Sequence, residues 1–266
     1  MLPLVAAYGI PADNLLMMPK GTLRAFLYLA LTILAVPAWP QSQGAASDKQ
    51  AREQGWKVFQ QARHTFRAGG HPPEIKNYSF DLRTELHTPQ GVSQIASRTF
   101  FQFPGYVRQE IETQRGPVVI VFDQDRGWQL NGTERKDLPK ESVKQIQSEL
   151  ARNNVLIAPD PDPALVRYQG QEDVEGRKAD VVQIADVGGT LLRLFVDTET
   201  HDVIRQMFVG DTPQGLAQVE ETFTDFKEVD GYRWYQHRKV TRNGKDALES
   251  TRTQIRINTA DPAKAN

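Results

Sequence analysis

Polar and apolar residues alternate with a period of two over most of this chain, the pattern of half-buried β-strands. Leu216 to Asn258 shows it best, with three strand-length runs joined by Asp230-Gly231 and Asn243-Gly244. Such pairs accept the positive φ of a two-residue hairpin, so the stretch predicts an antiparallel meander. Upstream, Tyr78, Phe80, Leu82 and Leu86 share one face of a strand, and Asn77, Ser79, Asp81, Arg83, Glu85 and His87 the other. Thr88-Pro89-Gln90-Gly91 turns the chain. Pairing Thr88 with Gly91 then sets Leu86 opposite Ser93, Thr84 opposite Ile95, Leu82 opposite Ser97, Phe80 opposite Thr99 and Tyr78 opposite Phe101. A face mixing aromatics with small hydroxyls is either a core edge with satisfied Ser and Thr or the lining of an incompletely filled interior.

At Phe103-Pro104-Gly105-Tyr106 a strict two-residue loop would turn Arg108, Glu110 and Glu112 inward. One extra residue turns Val107, Gln109, Ile111 and Thr113 inward instead. A one-residue slip flips every side chain, and burying three charges is the costlier choice, so the extra residue is expected. Val118 to Phe122 reads as a strand buried on both faces, and Asp123 to Gly127 turns it into Trp128 to Leu130. Strands resume at 165–170, 178–186, 191–197 and 203–209, with Gly-containing or polar turns between them, as in a large antiparallel sheet or barrel.

Two segments change period. Trp56, Phe59, Ala62 and Phe66 recur at spacings of three and four, after a possible capping box at Ser47 to Gln50 and before a Gly69-Gly70 stop. Asp137 and Pro139 open a second helix with the stripe Val143, Ile146 and Leu150. A lone helix among strands covers an open face or mouth, so this one is the candidate lid. The Pro-rich run Ala158 to Pro163 is a stiff connector.

Composition adds an address. The chain has 266 residues, 39% apolar and 24% charged, enough for one sizeable core. Lys20 and Arg24 precede the apolar run Ala25 to Val36, which leads into Val36-Pro37-Ala38, so residues 1–38 read as a secretory signal peptide. This twelve-residue run rises about 18 Å as a helix, short of the roughly 30 Å hydrocarbon core. The expected start is Met17 or Met18, because Asp13 and two upstream prolines suit no part of such a peptide. A linker over 39–46, one domain over 47–260 and a polar tail over 261–266 complete the layout. The chain has no cysteine, which excludes disulfides, a nucleophilic thiol and an acylated lipobox. After residue 38 the net charge is −2, leaving no basic stripe for nucleic acid and no polybasic membrane patch. The mature chain is expected to be periplasmic, with no transmembrane span.

No HExxH, Walker loop, GxSxG or GxGxxG occurs, and the five histidines lack metal spacing. Asp123-Gln124-Asp125-Arg126-Gly127 begins like a calcium loop but lacks its later ligands, and His237 with Arg238 and Lys239 reads as a solvated strand face. Nothing points to an enzyme, a metal or a cofactor.

Phe103 to Arg108, Val118 to Asp123 with Gly127-Trp128, Gly176 to Val182, Leu191 to Asp197 and Phe223 to Gly231 together resemble the LolA/LolB family of periplasmic lipoprotein carriers, lipoprotein-sorting proteins whose fold is shared by RseB. The likeness runs from about Asp48 to Asn258. It implies a mainly β protein with some α, a large antiparallel sheet curved into an unclosed β-barrel and capped by an N-terminal helix and a lid helix. It also implies a soluble carrier for the acyl chains of a lipid or lipoprotein, or else a non-catalytic module docking an envelope protein such as a peptidase or stress regulator. The expected cavity lining is Tyr78, Phe80, Leu82, Phe101, Phe103, Val119, Val121 and Trp128, with Val143, Ile146 and Leu150 as the lid. Phe103 stands where the lipoprotein carrier has the arginine that fastens its lid.

Overall fold

Tight turns organise the sheet. Asp230-Gly231 and Asn243-Gly244 have positive φ at both residues, as do Glu175-Gly176 and Gly188-Gly189, and each closes a two-residue hairpin. The computed structural model describes residues 48–88, 91–114, 116–212 and 215–260. The expected signal peptide, start site, linker, Ser47 and polar tail lie outside them. The strands are β1 (Asn77–Thr88), β2 (Gly91–Gln102), β3 (Tyr106–Ile111), β4 (Val118–Asp123), β5 (Arg126–Asn131), β6 (Glu134–Asp137), β7 (Val166–Val174), β8 (Arg177–Val187), β9 (Thr190–Asp197), β10 (Val203–Thr212), β11 (Gly215–Val229), β12 (Tyr232–Arg242) and β13 (Lys245–Ile257). They form one antiparallel sheet ordered β6-β5-β4-β3-β2-β1-β13-β12-β11-β10-β9-β8-β7. β6 and β7 are its two unpaired ends, so the barrel does not close.

The β1–β2 register is the expected one at all five pairs, from Leu86–Ser93 to Tyr78–Phe101. Gln102 pairs with Tyr106 across a three-residue loop, and Val107, Gln109 and Ile111 face inward and are buried. β6 is a departure. Asp137, expected to open the second helix, ends this four-residue strand beside Arg135, and Pro139 stands at the helix N-cap with no side-chain cap.

Helix α1 (Asp48–Phe66) lays most of the expected stripe on the sheet: Phe59, Ala62 and Phe66 are buried, as is Val58, and Trp56 is half-buried. Its approach is set by Gly55. A Cβ there would lie 2.6 Å from the Arg167 carbonyl carbon and the Tyr168 nitrogen, so the helix lies directly against the backbone of β7. The connector after residue 157 is tied to this helix, since Arg63 pairs with Asp160 and donates to the Ala158 carbonyl at 3.0 Å. Asp162 caps the short 3-10 turn Pro163–Leu165 through Ala164 N.

Helix α2 (Lys140–Asn153) lies over the same face as α1, its Ile146 and Leu150 in one cluster with Phe66. Two adjacent residues fasten it to opposite wings of the sheet. Gln147 Nε2 donates to the Gln124 carbonyl in the β4–β5 turn at 3.0 Å, and Ser148 Oγ donates to the Gly188 carbonyl in the β8–β9 turn at 2.6 Å. Its end is held by Asn154, which accepts from Tyr78 Oη at 3.0 Å and donates to the Leu150 carbonyl at 2.9 Å.

Two outcomes test this frame. Gly55→Ala overpacks α1 against β7 at a cost of about 1–3 kcal/mol, and thermal unfolding should shift down by about 2–4 °C per kcal/mol; an unchanged midpoint would refute the close approach. The double variant Tyr78→Phe, Ser148→Ala removes two ties worth about 1 kcal/mol each. Hydrogen exchange of α2 amides should quicken by about 30-fold, with the central strands β1 and β13 unaffected; equal acceleration of helix and sheet would show that α2 does not open alone.

Candidate ligand-binding site

The inner face of the sheet divides into an aromatic half and a charged half. Tyr78, Phe80, Leu82 and Phe101 join Val107, Ile111, Ile120 and Phe122 with Phe66, Tyr232 and Trp234 in one buried cluster under α2. Rings pack edge to face or tilted, Phe101 on Phe103 at 4.7 Å and Tyr78 on Phe101 and Trp234 at 5.1 and 5.2 Å. Burial pushes the Tyr78 phenol well above its ordinary pKa, so it stays a neutral donor to Asn154. The hydroxyls opposite these rings do not face empty space. Gln109 Nε2 donates to Ser97 Oγ and Thr99 Oγ1, each at 3.3 Å, so those two positions form a satisfied core edge.

Two openings adjoin the cluster. A groove of ≈ 840 Å³ at the mouth is walled by Phe66, Ile75, Phe103, Pro104, Leu156 and Tyr232, with Arg67, Glu74 and Lys76 among its polar residues. Its volume falls within the range of ligand clefts, roughly 300–1,000 Å³. A smaller cavity of ≈ 70 Å³ lies deeper and shares Phe66, Leu156 and Ile157 with the groove; Arg152, Arg252, Gln206, Trp234 and Tyr235 also face it.

The structure therefore distributes the expected lining residues as follows. Tyr78, Phe80, Leu82 and Phe101 come together inside, Tyr78 on the small cavity, and Phe103 lines the mouth. Ile146 and Leu150 cover the cluster, with half-buried Val143 beside them. Val119, Val121 and Trp128 do not belong to this face. Register carries Phe100 to Arg108, Val121 and Trp128 on the outer side, where Trp128 lies under the Arg135 guanidinium at 4.1 Å. Val119 pairs with Glu110 and Leu130 on that side too. The inward residues of β4 and β5 are Ile120, Phe122 and Gln129, one position away, because alternation decides the face and a run of five apolar residues conceals it.

Of His237, Arg238 and Lys239, expected on a solvated strand face, Arg238 is instead buried on the inner side. Arg238 is 1% exposed and Glu221 3%, joined at 3.3 Å, and Gln206 Nε2 donates to the same Glu221 oxygen at 2.9 Å. Burial pushes the Glu221 carboxyl up against the pull of Arg152 and Arg252. Burial, then the neighbouring Arg252, holds Arg238 well below its ordinary value. Arg252 lies 4.1 Å from the Tyr235 ring centroid and 4.6 Å from that of Phe80, and burial raises the Tyr235 phenol to about 12. His237 is on the outer face, 3.9 Å from Glu249. The signal for the inward set was the alternation Tyr232, Trp234, Gln236, Arg238, Val240, all buried. Asp123 to Gly127 is a hairpin turn, and among the described residues no cluster of metal ligands occurs.

No protein-family model and no curated protein sequence matches this chain. Its structure is similar to three solved ones. They are an outer membrane lipoprotein-sorting protein domain from Vibrio parahaemolyticus (TM-score 0.50, 12% identity, 80% of this chain and 96% of that one), a DUF1329 family protein from Desulfovibrio piger (0.51, 12%, 79% and 94%) and a LolA superfamily protein from Nitrosomonas europaea (0.50, 12%, 79% and 96%). With its open thirteen-stranded sheet and two helices on the inner face, this chain has the LolA-like fold.

Proposed function

We propose that this protein is a non-enzymatic periplasmic carrier that holds the acyl chains of a lipid or lipoprotein in its half-barrel. The observation that supports this most is the ≈ 840 Å³ groove, whose walls at Phe66, Phe103 and Tyr232 continue into the aromatic cluster under α2. An acyl chain starts in the groove and extends inward as α2 lifts from its ties at Gln124, Gly188 and Tyr78. Tyr78, Phe80, Leu82 and Phe101 form the surface it meets, and Val143, Ile146 and Leu150 the cover. The periplasmic address rests on the signal peptide read at residues 1–38. Among the described residues no helix is long and apolar enough to cross a membrane.

Energetics set the size of the ligand. Ten buried methylenes contribute about 8 kcal/mol at roughly 0.8 each. Association costs at least about 4 kcal/mol, which leaves a dissociation constant of about 1 mM. The ligand is therefore long, multiply acylated, or held by more than its chain.

Docking of an envelope protein, the other reading, draws less support. The free edge β6 is four residues long, charged and exposed, and the opposite edge β7 lies against α1, so neither invites strand addition.

Protein purified natively from the periplasm, extracted with organic solvent and analysed by denaturing mass spectrometry, should release acyl lipid in near-stoichiometric amount. A lipid-free extract together with a stable stoichiometric protein complex would replace this reading with docking.

A further inference from the structure

The small inner cavity is mostly apolar, but a few buried hydrogen-bond donors are set among its apolar residues. Arg252 faces it from β13, 7% exposed, between the rings of Phe80 and Tyr235. Among the described residues no carboxylate lies within 4 Å of its guanidinium nitrogens. Trp234 also faces the cavity at 5% exposure, and its indole Nε1–H, fully buried, has no acceptor. Arg152 contributes a second guanidinium, positioned over the Phe208 ring at 3.9 Å.

Acids lie nearby: Glu221 feels both Arg152 and Arg252, and Glu149 acts on Tyr235. Asp202 takes both arms of Arg233, at 2.7 and 3.0 Å. Glu221 takes Arg238 and Gln206. The cavity therefore has a buried guanidinium with no ion pair of its own and an unused indole N–H on its lining, and it shares Phe66, Leu156 and Ile157 with the groove. Its ≈ 70 Å³ is several times the roughly 10–15 Å³ that a single water needs, room for a compact head of a few oxygens.

We infer that the inner cavity binds the oxyanion head of an acyl lipid, with Arg252 and the Trp234 indole N–H as its principal donors and the acyl tail lying outward along the Phe66–Phe103–Tyr232 groove. The inference rests on the carrier reading and narrows it, from acyl chains in general to amphiphiles that carry a carboxylate or phosphate at one end. A guanidinium flanked by two rings is fixed in position, so an oxyanion gains charge-assisted hydrogen bonds without reorganising the site.

The test compares heads on one tail. Delipidated full-length mature protein is titrated with palmitate, hexadecanol and hexadecyl phosphate in competition with a neutral fluorescent alkyl probe. Wild type should bind palmitate, hexadecyl phosphate or both at least about tenfold more tightly than hexadecanol, the worth of a hydrogen bond to a charged group. Preference for one of the two anions identifies the head as carboxylate or phosphate. Arg252→Met and Trp234→Phe should each move the anion-to-alcohol ratio toward one, a readout that a general loss of packing leaves in place. Equal affinities for acid and alcohol in wild type overturn the head-group site and leave the carrier standing. So does a preference that survives Arg252→Met. Failure of all three amphiphiles to displace the probe sinks the carrier reading itself. The wild-type comparison needs no variant, so a misfolded Arg252→Met leaves the inference open to refutation.

Discussion

An open sheet of thirteen strands has two ends and one apolar face to shield, and the rest of this structure depends on α2 drawing the wings together. β4 and β9 stand third and eleventh in the strand order, eight steps apart. At about 4.8 Å per step they would be roughly 38 Å apart in a flat sheet. Yet neighbouring residues Gln147 and Ser148 reach the β4–β5 and β8–β9 turns. The sheet has to curl for both bonds to form, and five irregularities of register, at Ser79/Asp81, Tyr168/Gly170, Ile184/Val187, Val203/Arg205 and Val240/Thr241, supply the coiling. α2 is thus both the cover of the interior and a cross-tie, and whatever lifts it exposes the aromatic cluster at once.

The ties are of a kind suited to opening. Each is a single neutral hydrogen bond, and two of the three use a carbonyl in a turn that water can satisfy when the helix leaves. The net loss per bond is therefore modest, about 1 kcal/mol. α1 differs. Gly55 brings it onto the backbone of β7, and Val58, Phe59 and Ala62 are buried in a second cluster with Val182, Ile184 and Leu194. One helix is set against the sheet's backbone, and the other is tied to the sheet by side-chain hydrogen bonds. The Phe103 position, which in the resembling carriers fastens the lid through an arginine, is here a mouth residue, while Tyr78 and Asn154 hold the end of the helix.

What could be read from sequence follows from how far a local rule reaches. Thr88 to Gly91 sets a hairpin register residue by residue, and the cost of burying Arg108, Glu110 and Glu112 settles the loop at Phe103. Both rules act across one turn. The β3–β4 link from Glu112 to Pro117 carries no such rule, so the inward face of β4 could not be followed through it, and Val119, Val121 and Trp128 were assigned to the wrong side. β6, with the sequence Glu134-Arg135-Lys136-Asp137, has no apolar alternation to announce it. Gly55 shows nothing until a strand lies against it. The inner charges were hidden for a different reason: residue type is a strong cue to exposure, and Arg238 and Arg252 are exceptions that only the β12 and β13 alternation records.

Those exceptions have an energetic cost that the fold alone does not explain. An ion taken from water into an interior forfeits several kcal/mol after relaxation. Arg238 recovers part of this through Glu221, and Arg252 recovers some through a longer-range pull on the same carboxylate and through the ring faces of Phe80 and Tyr235, each worth about 2 kcal/mol when desolvated. A leucine at position 252 would continue the apolar row begun by its neighbour Leu82 and would stabilise the empty protein more. Under the head-group proposal, arginine at this position suits an anion that arrives later. The same desolvation that burdens the empty state strengthens the bond once the anion is in place. On the proposed carrier reading the acyl tail would supply bulk affinity and the buried arginine the selection, with α2 as the cover over both.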